Sequence, residues 1–215
     1  MIQVDVSILI VSVNTRERLR QCLNSLPAAQ GAVACETIIV DNHSRDGSAD
    51  MLEQDHPEVR LIRSPVNLGF ANANNRAAAV ATGRYLLLLN PDAVLPEEAI
   101  EQAVRRMDQM PGVGMAGGRL LGEDGSDQPS ARMFPTLLLE LFNLTGLAGR
   151  YPRSKLFGRF DRTWADPGEA CAIDWVPGAF AILRRELVER IGFFDPRFFL
   201  YYEEVDLCRR LRAAG

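Results

Sequence analysis

The stretch Tyr85-Leu86-Leu87-Leu88-Leu89-Asn90-Pro91-Asp92 decides the fold. Residues 85–89 are apolar at every position, which predicts a short strand covered on both faces rather than one with alternating sides. Pro91 has no N–H to give to a ladder, so the strand ends there. Asp92 then stands just past the carboxyl end of a central strand, where open α/β sheets bind ligands. With the amide oxygen of Asn90 beside it, its carboxylate suits a hard cation, Mg2+ or Mn2+, that carries phosphate oxygens. The same residues also suit a plain turn in which Asp92 starts the next helix.

Upstream, strands and helices alternate. Residues 6–13 (VSILIVSV) read as a buried strand, and Thr15 as the cap of a helix with Leu19, Cys22, Leu23 and Leu26 on its inner face. Residues 37–40 and 59–62 read as further strands, the former ending at Asp41. An Ala-rich helix spans 70–81 with Gly83 as its stop. Past the leucine run, a helix over 96–110 opens with Pro96 and carries Glu97 and Glu98 in its first turn, and 113–116 is another strand. This alternation implies a doubly wound, mostly parallel sheet with helices on both faces. The second half is less regular: a polar loop over 122–130, an apolar helical stretch over 137–147, strands over 172–176 and 179–183, and helices over 184–191 and 203–214.

Composition excludes several classes. A chain of 215 residues, 47% hydrophobic, suits one α/β domain, and its net charge of −4 gives no drive toward nucleic acid. Cys22, Cys35, Cys171 and Cys208 lack any CxxC or Cys/His ligand spacing and read as reduced, mostly buried thiols of a cytoplasmic protein. No secretory leader or membrane-spanning run is visible. Two histidines make a His-rich metal site or a Ser-His-Asp triad uneconomical.

Four further constellations bear chemistry. Asp41, in Asp41-Asn42-His43-Ser44, can accept from a ribose hydroxyl or a base N–H, although many βα loops are merely polar. Asn67-Leu68-Gly69 and the asparagines 72, 74 and 75 surround a helix start, where close backbone approach and the macrodipole favour a diphosphate. Capping and surface amides account for that cluster equally well. Trp175, beside Asp174 and Gly178, suits the apolar face of a sugar or an ordinary core position. Glu203, Glu204 and Asp206 crowd a helix start, which raises the pKa of at least one and offers a general base, or simply complements the helix dipole.

Taken together, SILIVSVNTRERLRQCLNSL, IIVDNHSRDGS, NLGFANANNRA, YLLLLNPDAVL and DWVPGAFAILRRELVERIGFFDPRFFLYYEEVDLCRRL resemble a family 2 glycosyltransferase of the GT-A fold, near the bacterial rhamnosyltransferase-like branch. The resemblance implies one such domain over 1–215, with a nucleotide-binding half to about residue 118, an acceptor half from about 119, and a shortened C-terminus. It implies that Val13 and Asn14 line the nucleotide pocket and that Asp41 holds uracil or thymine with Asn42 nearby. Asn67, Gly69 and Asn75 would shape the pyrophosphate and sugar region, and Trp175 and Gly178 would border the sugar or acceptor pocket. Asp92 would be the metal ligand, with Asn90 replacing the first acid of the family's DxD motif. Glu204 stands as general base, one methylene longer than the usual aspartate, with Glu203 as its competitor. The implied reaction is inverting transfer from a dTDP- or UDP-sugar, assisted by a divalent cation, to a glycan or lipid-linked acceptor in cell-surface polysaccharide synthesis.

Two other functions compete. A sugar-phosphate nucleotidyltransferase would carry a Gly-rich loop after the first strand, and Ser12-Val13-Asn14-Thr15-Arg16 has no glycine. A noncatalytic nucleotide-binding module is the other. The apolar stretch 137–147 and its basic continuation also suit contact with the inner face of the plasma membrane, or a lid with a solvated basic tail.

Overall fold

A computed structural model describes residues 4–215. The elements run β1 (Val6–Ser12), α1 (Arg16–Gln30), β2 (Cys35–Asp41), α2 (Ser48–Asp55), β3 (Arg60–Arg63), α3 (Gly69–Ala78), β4 (Tyr85–Leu89), α4 (Ala99–Gln109) and β5 (Met115–Gly117). They continue with β6 (Leu120–Leu121), β7 (Asp127–Gln128), α5 (Leu137–Leu144), α6 (Leu147–Arg150), β8 (Phe180–Arg184), α7 (Arg185–Ile191) and α8 (Glu203–Ala213). The chain divides into two compact units, one running through Ala116 and resuming at Gly178–Gly215, the other Gly117–Pro177.

The first unit holds the sheet. Among the described residues it has six strands in the order β3-β2-β1-β4-β8-β5. β3, β2, β1 and β4 run parallel to one another, and β8 runs antiparallel to β4. All five residues of β4 are buried, as expected of a strand between β1 and β8 with both faces covered. On one face Ile8, Ile10, Leu87 and Leu89 pack with Leu19, Leu23 and Leu26 of α1 and Ile100, Val104 and Met107 of α4. The fold class expected from sequence is the one observed: mixed α/β, mostly parallel, flanked by helices.

Several local readings are corrected. Thr15 is the N-cap residue of α1 but makes no side-chain cap; its hydroxyl bonds Ser12 Oγ at 2.8 Å instead. α3 stops at Ala78, short of Gly83. α4 begins at Ala99, because Glu98 takes φ 58° and leaves Pro96 and Glu97 outside; Glu101 is the acid of its first turn. Cys171 is exposed and Cys35 half-buried, so only Cys22 and Cys208 are the buried thiols expected.

In the second unit β7, which lies in the loop expected over 122–130, pairs antiparallel with β6 just before it in a short hairpin. Residues 172–176 are not a strand; Trp175 makes one isolated bridge to Arg132. The N–H groups that follow that partner are taken elsewhere, Met133 by the Phe160 carbonyl at 2.9 Å and Phe134 by Asp174 Oδ2 at 2.8 Å. Gly146, at φ 71°, separates α5 from α6 where one continuous helix was expected.

Candidate active site

The three parallel strands β1, β2 and β4 deliver their carboxyl ends to one rim. Ser12 of β1 pairs with Asp41 of β2, and Ile10 with Leu89 of β4. The sheet order reverses between β1 and β4, and crevices at such a reversal receive ligands. Beside it lies a cleft of about 480 Å³ lined by Asn14, Thr15, Arg16, Glu17, Arg18 and Asp46.

Asn14 adopts φ 53°, which asparagine tolerates, and Val13 beside it is exposed. The Asn14 side chain accepts from the Arg45 N–H at 2.8 Å, and its own N–H donates to Ser44 Oγ at 3.0 Å. Asp46 accepts from the Arg16 N–H at 2.9 Å. Against the pull of burial, the Ser48 hydroxyl and N–H together with this Arg16 N–H hold its carboxyl below the usual range. The loops after β1 and β2 are therefore one hydrogen-bonded rim.

Asp41 closes β2 and is 4% exposed. Its Oδ2 accepts from the Ser44 N–H at 3.2 Å, while its buried Oδ1 has no protein partner. A buried acceptor without a donor is costly, and a ligand N–H or O–H would relieve it.

The asparagines behave as braces. Asn42 donates to Asn67 Oδ1 at 2.9 Å and to the Gly69 carbonyl at 3.2 Å, and accepts from the Leu68 N–H at 2.8 Å. Asn67 also accepts from the Gly69 N–H at 2.9 Å, and the Phe70 N–H donates to the Phe199 carbonyl at 2.8 Å. The N–H groups opening α3 thus have protein acceptors, so the diphosphate reading of this helix start is not what the geometry favours. Asn72 donates to the Pro196 carbonyl at 3.1 Å. Asn75 donates to the Phe194 carbonyl at 2.8 Å and accepts from the Phe194 N–H at 3.0 Å. Gly69, at φ 75°, permits this docking: a Cβ there would lie 2.2 Å from the Phe199 carbonyl oxygen.

The segment so held carries the acids. Tyr201 and Tyr202 take φ 71° and 69°, a left-handed pair that bulky side chains rarely adopt. Strained residues of this kind cost ~1–3 kcal/mol each and persist where surrounding structure imposes them. The turn drives Glu203 to 2% exposure, with Oε2 unpartnered. Burial first, and the neighbouring Glu204 charge second, push the Glu203 pKa up. Glu204 is only half-buried and accepts the Gly178 N–H at 3.0 Å.

That contact ties the acids to β4. Leu89 pairs with Phe180 of β8, and the Asn90 N–H donates to the Ala179 carbonyl at 3.1 Å. Because β8 is antiparallel, the residues that lead into it, Gly178 and Ala179, lie at the end of β4. Gly178 sits close against both Phe70 and Glu204, since a Cβ would lie 2.9 Å from Phe70 Cζ and 3.1 Å from Glu204 Oε1 and would press on those side-chain ends.

Asp92 follows Asn90 on this rim. Its Oδ2 is 3.5 Å from Arg18 Nη1, a long pair between side chains 63% and 46% exposed. Solvent screens such a pair, so it yields readily to a stronger partner. Under the turn, buried Cys22 donates its thiol to the Asn90 carbonyl at 3.7 Å. Burial first, then the Asp92 charge, push that thiol up to about 12. Among the described residues no group of three or more His, Cys, Asp or Glu gathers to hold a metal unaided. Asp92 offers a single exposed carboxylate here, which is what a site that holds a cation chiefly through phosphate oxygens asks of the protein.

Trp175 belongs to the second unit. Its indole N–H donates to the Met133 carbonyl at 3.0 Å, and the Arg132 guanidinium lies 5.1 Å from its ring centre. Asp174 accepts from the Phe134 N–H at 2.8 Å. Sequence reasoning passed over Arg18. Basic side chains in a helix's first two turns oppose its macrodipole, and Arg16 and Arg18 near the start of α1 carry that signal.

Residues 7–192 match the family model described as glycosyl transferase family 2. An N-acetylglucosaminyl-diphospho-decaprenol L-rhamnosyltransferase of Mycobacterium tuberculosis is 30% identical over 189 residues, covering 83% of this chain and 61% of that protein. The chain thus spans about three fifths of that relative's length. The O-antigen biosynthesis protein RfbC of Myxococcus xanthus is 30% identical over 223 residues, 98% of this chain and 16% of RfbC. The fold is shared with the mannosyltransferase PcManGT from Pyrobaculum calidifontis, solved with GDP-Man and Mn2+, at TM-score 0.65 and 18% identity, covering 98% of this chain and 52% of that one.

Proposed function

From the premise that the chain belongs to glycosyl transferase family 2, we propose that it transfers a hexosyl unit, L-rhamnose foremost, from a dTDP- or UDP-sugar to a hydroxyl of a glycan or lipid-linked acceptor of bacterial cell-surface polysaccharide. The observation that carries this reading is the stitching of two carboxylates to one sheet end: Asp92 after β4, and Glu204 through Gly178 before β8. The rhamnosyl and lipid-linked choices rest on the mycobacterial relative. Neither a nucleotidyltransferase nor a noncatalytic module is favoured by that membership.

Val13, Asn14 and the rim they share with β2 border the nucleotide, and the unpartnered Asp41 Oδ1 accepts the N–H of its pyrimidine base. Asn42 and Asn67 keep the wall of that pocket in place, with Gly69 as its point of closest approach, while Asn75 braces the segment that leads to the acids. Asp92, assisted by the Asn90 turn, holds a divalent cation, which when bound neutralises charge on the departing nucleoside diphosphate. Gly178 borders the sugar or acceptor. Glu204 takes the proton of the acceptor hydroxyl as that oxygen attacks the anomeric carbon, and the diphosphate leaves with the bonding pair on the opposite side, inverting the centre. Glu203, 2% exposed, is too enclosed to meet an incoming hydroxyl and backs Glu204 instead.

The test pairs calorimetry with a transfer assay. Wild-type protein should bind dTDP or UDP more tightly with Mn2+, and Asp92→Ala should erase the metal-dependent increment. Glu204→Gln should bind nucleotide normally and lose transfer by ~100-fold or more. Metal-independent affinity in the wild type, or full transfer by Glu204→Gln, would overturn the assignment.

A further inference from the structure

α5 has two apolar faces. Leu139 and Phe142 turn inward: Leu139 is 6% exposed, and the Phe142 ring meets Phe157 edge-on at 4.9 Å. Leu137, Leu141 and Leu144, at helical spacing, share the outer face and are 93%, 52% and 85% exposed, with Leu138 beside them at 54%. A surface helix ordinarily opposes its buried stripe with polar side chains, but only Glu140 and Asn143 interrupt this one. Contiguous exposed apolar surface of this kind marks an interaction site.

The same unit supplies the complementary charge. Arg150, Arg153, Lys155 and Arg159 are all exposed, and Tyr151 and Leu156 stand out among them at 47% and 53%. Residues 150–162 hold five basic side chains against the single acid Asp161, in a chain whose net charge is −4. Asp161 is itself paired with Arg132 at 3.2 Å. Leucines framed by arginine, lysine and tyrosine are the makeup of a surface that lies on an anionic bilayer.

We propose that α5 and residues 150–159 dock on an anionic lipid surface, with the leucines among the acyl chains and the basic side chains at the headgroups. An α5 of eight residues is far too short to cross a bilayer, so it rests in the interface. A second copy of this chain is the poorer occupant, because two-fold pairing would set one basic cluster against its twin. The docking depends on none of the residues assigned to transfer.

The full chain is sedimented with vesicles of phosphatidylcholine alone and with ~30% phosphatidylglycerol at ~0.1 M salt, where screening still leaves several ångströms of reach. It should pellet with the anionic vesicles only. Leu137→Ser with Leu144→Ser should lower the partition coefficient by ~10-fold or more, since both side chains are already in water in the free protein. Arg153→Ala with Lys155→Ala should lower it by ~5-fold per charge and flatten its salt dependence. Unchanged melting temperatures confirm that either variant folds. Equal pelleting with neutral vesicles, no pelleting, or a leucine variant that binds like the wild type overturns the proposal. So does a wild-type dimer that the leucine substitutions convert to a monomer without vesicle affinity.

Discussion

Replacing Asn75 by alanine separates a brace from a ligand contact. Asn75 closes two hydrogen bonds on the backbone of Phe194, at 2.8 and 3.0 Å, across 119 positions of sequence. A net value near 1 kcal/mol per bond, for a side chain only half-buried, predicts a loss of ~2 kcal/mol. For a chain of 215 residues that lowers the melting temperature by ~4–8 °C. The segment released leads to Pro196, Phe199 and then Glu203-Glu204, so kcat should fall with it. Nucleotide affinity, which we assign to Asp41 and the β1 loop, should change by less than ~2-fold. Asn75→Asp keeps an acceptor for the Phe194 N–H but turns a carboxylate toward the Phe194 carbonyl, and should do no better than alanine. The assays are a thermal melt, dTDP calorimetry and initial rates on one preparation. An Asn75→Ala protein that melts like the wild type yet loses nucleotide binding would refute this reasoning and return Asn75 to the donor pocket.

Two more outcomes are expected. Gly69→Ala forces a Cβ to within 2.2 Å of the Phe199 carbonyl at φ 75°, so urea denaturation should show a loss of ~2 kcal/mol or more. Unaltered stability would mean that the loop before α8 is not docked on α3. Glu203 has a folded pKa above its unfolded value, so the folded state binds the extra proton and stability contributed at low pH is lost as pH rises through that raised value. Glu203→Gln removes the penalty, and its stability relative to wild type should grow from pH ~4 to pH ~7 in denaturant titrations. A difference independent of pH would show that the carboxyl is not buried as described.

Local pattern made the parallel half of the sheet legible. The strand at residues 85–89 was bounded correctly by an unbroken apolar run and a proline, both short-range signals. What sequence could not give was pairing. That β8 enters antiparallel against β4, and so brings Gly178 and Glu204 to the Asn90 turn, depends on partners far apart in the chain. The asparagine cluster shows the same limit: its composition announced something unusual, but its contacts with residues 194–199 lie beyond any local window. The strand expected at 172–176 failed for a physical reason visible only with its partner, whose next N–H groups bond the Phe160 carbonyl and the Asp174 carboxylate instead of a ladder. Nothing in the sequence foretold the left-handed Tyr201-Tyr202 turn, since neither residue favours it.

The place where the second unit is spliced has an evolutionary consequence. Residues 117–177 leave the chain after β5 and rejoin it before β8, and those two strands are sheet neighbours. A loop that departs and returns at adjacent points can be lengthened, shortened or exchanged without moving a single rung of the ladder. Natural variation, or a protein engineer, is therefore free to rewrite those sixty-odd residues while the strands of the first unit stay untouched.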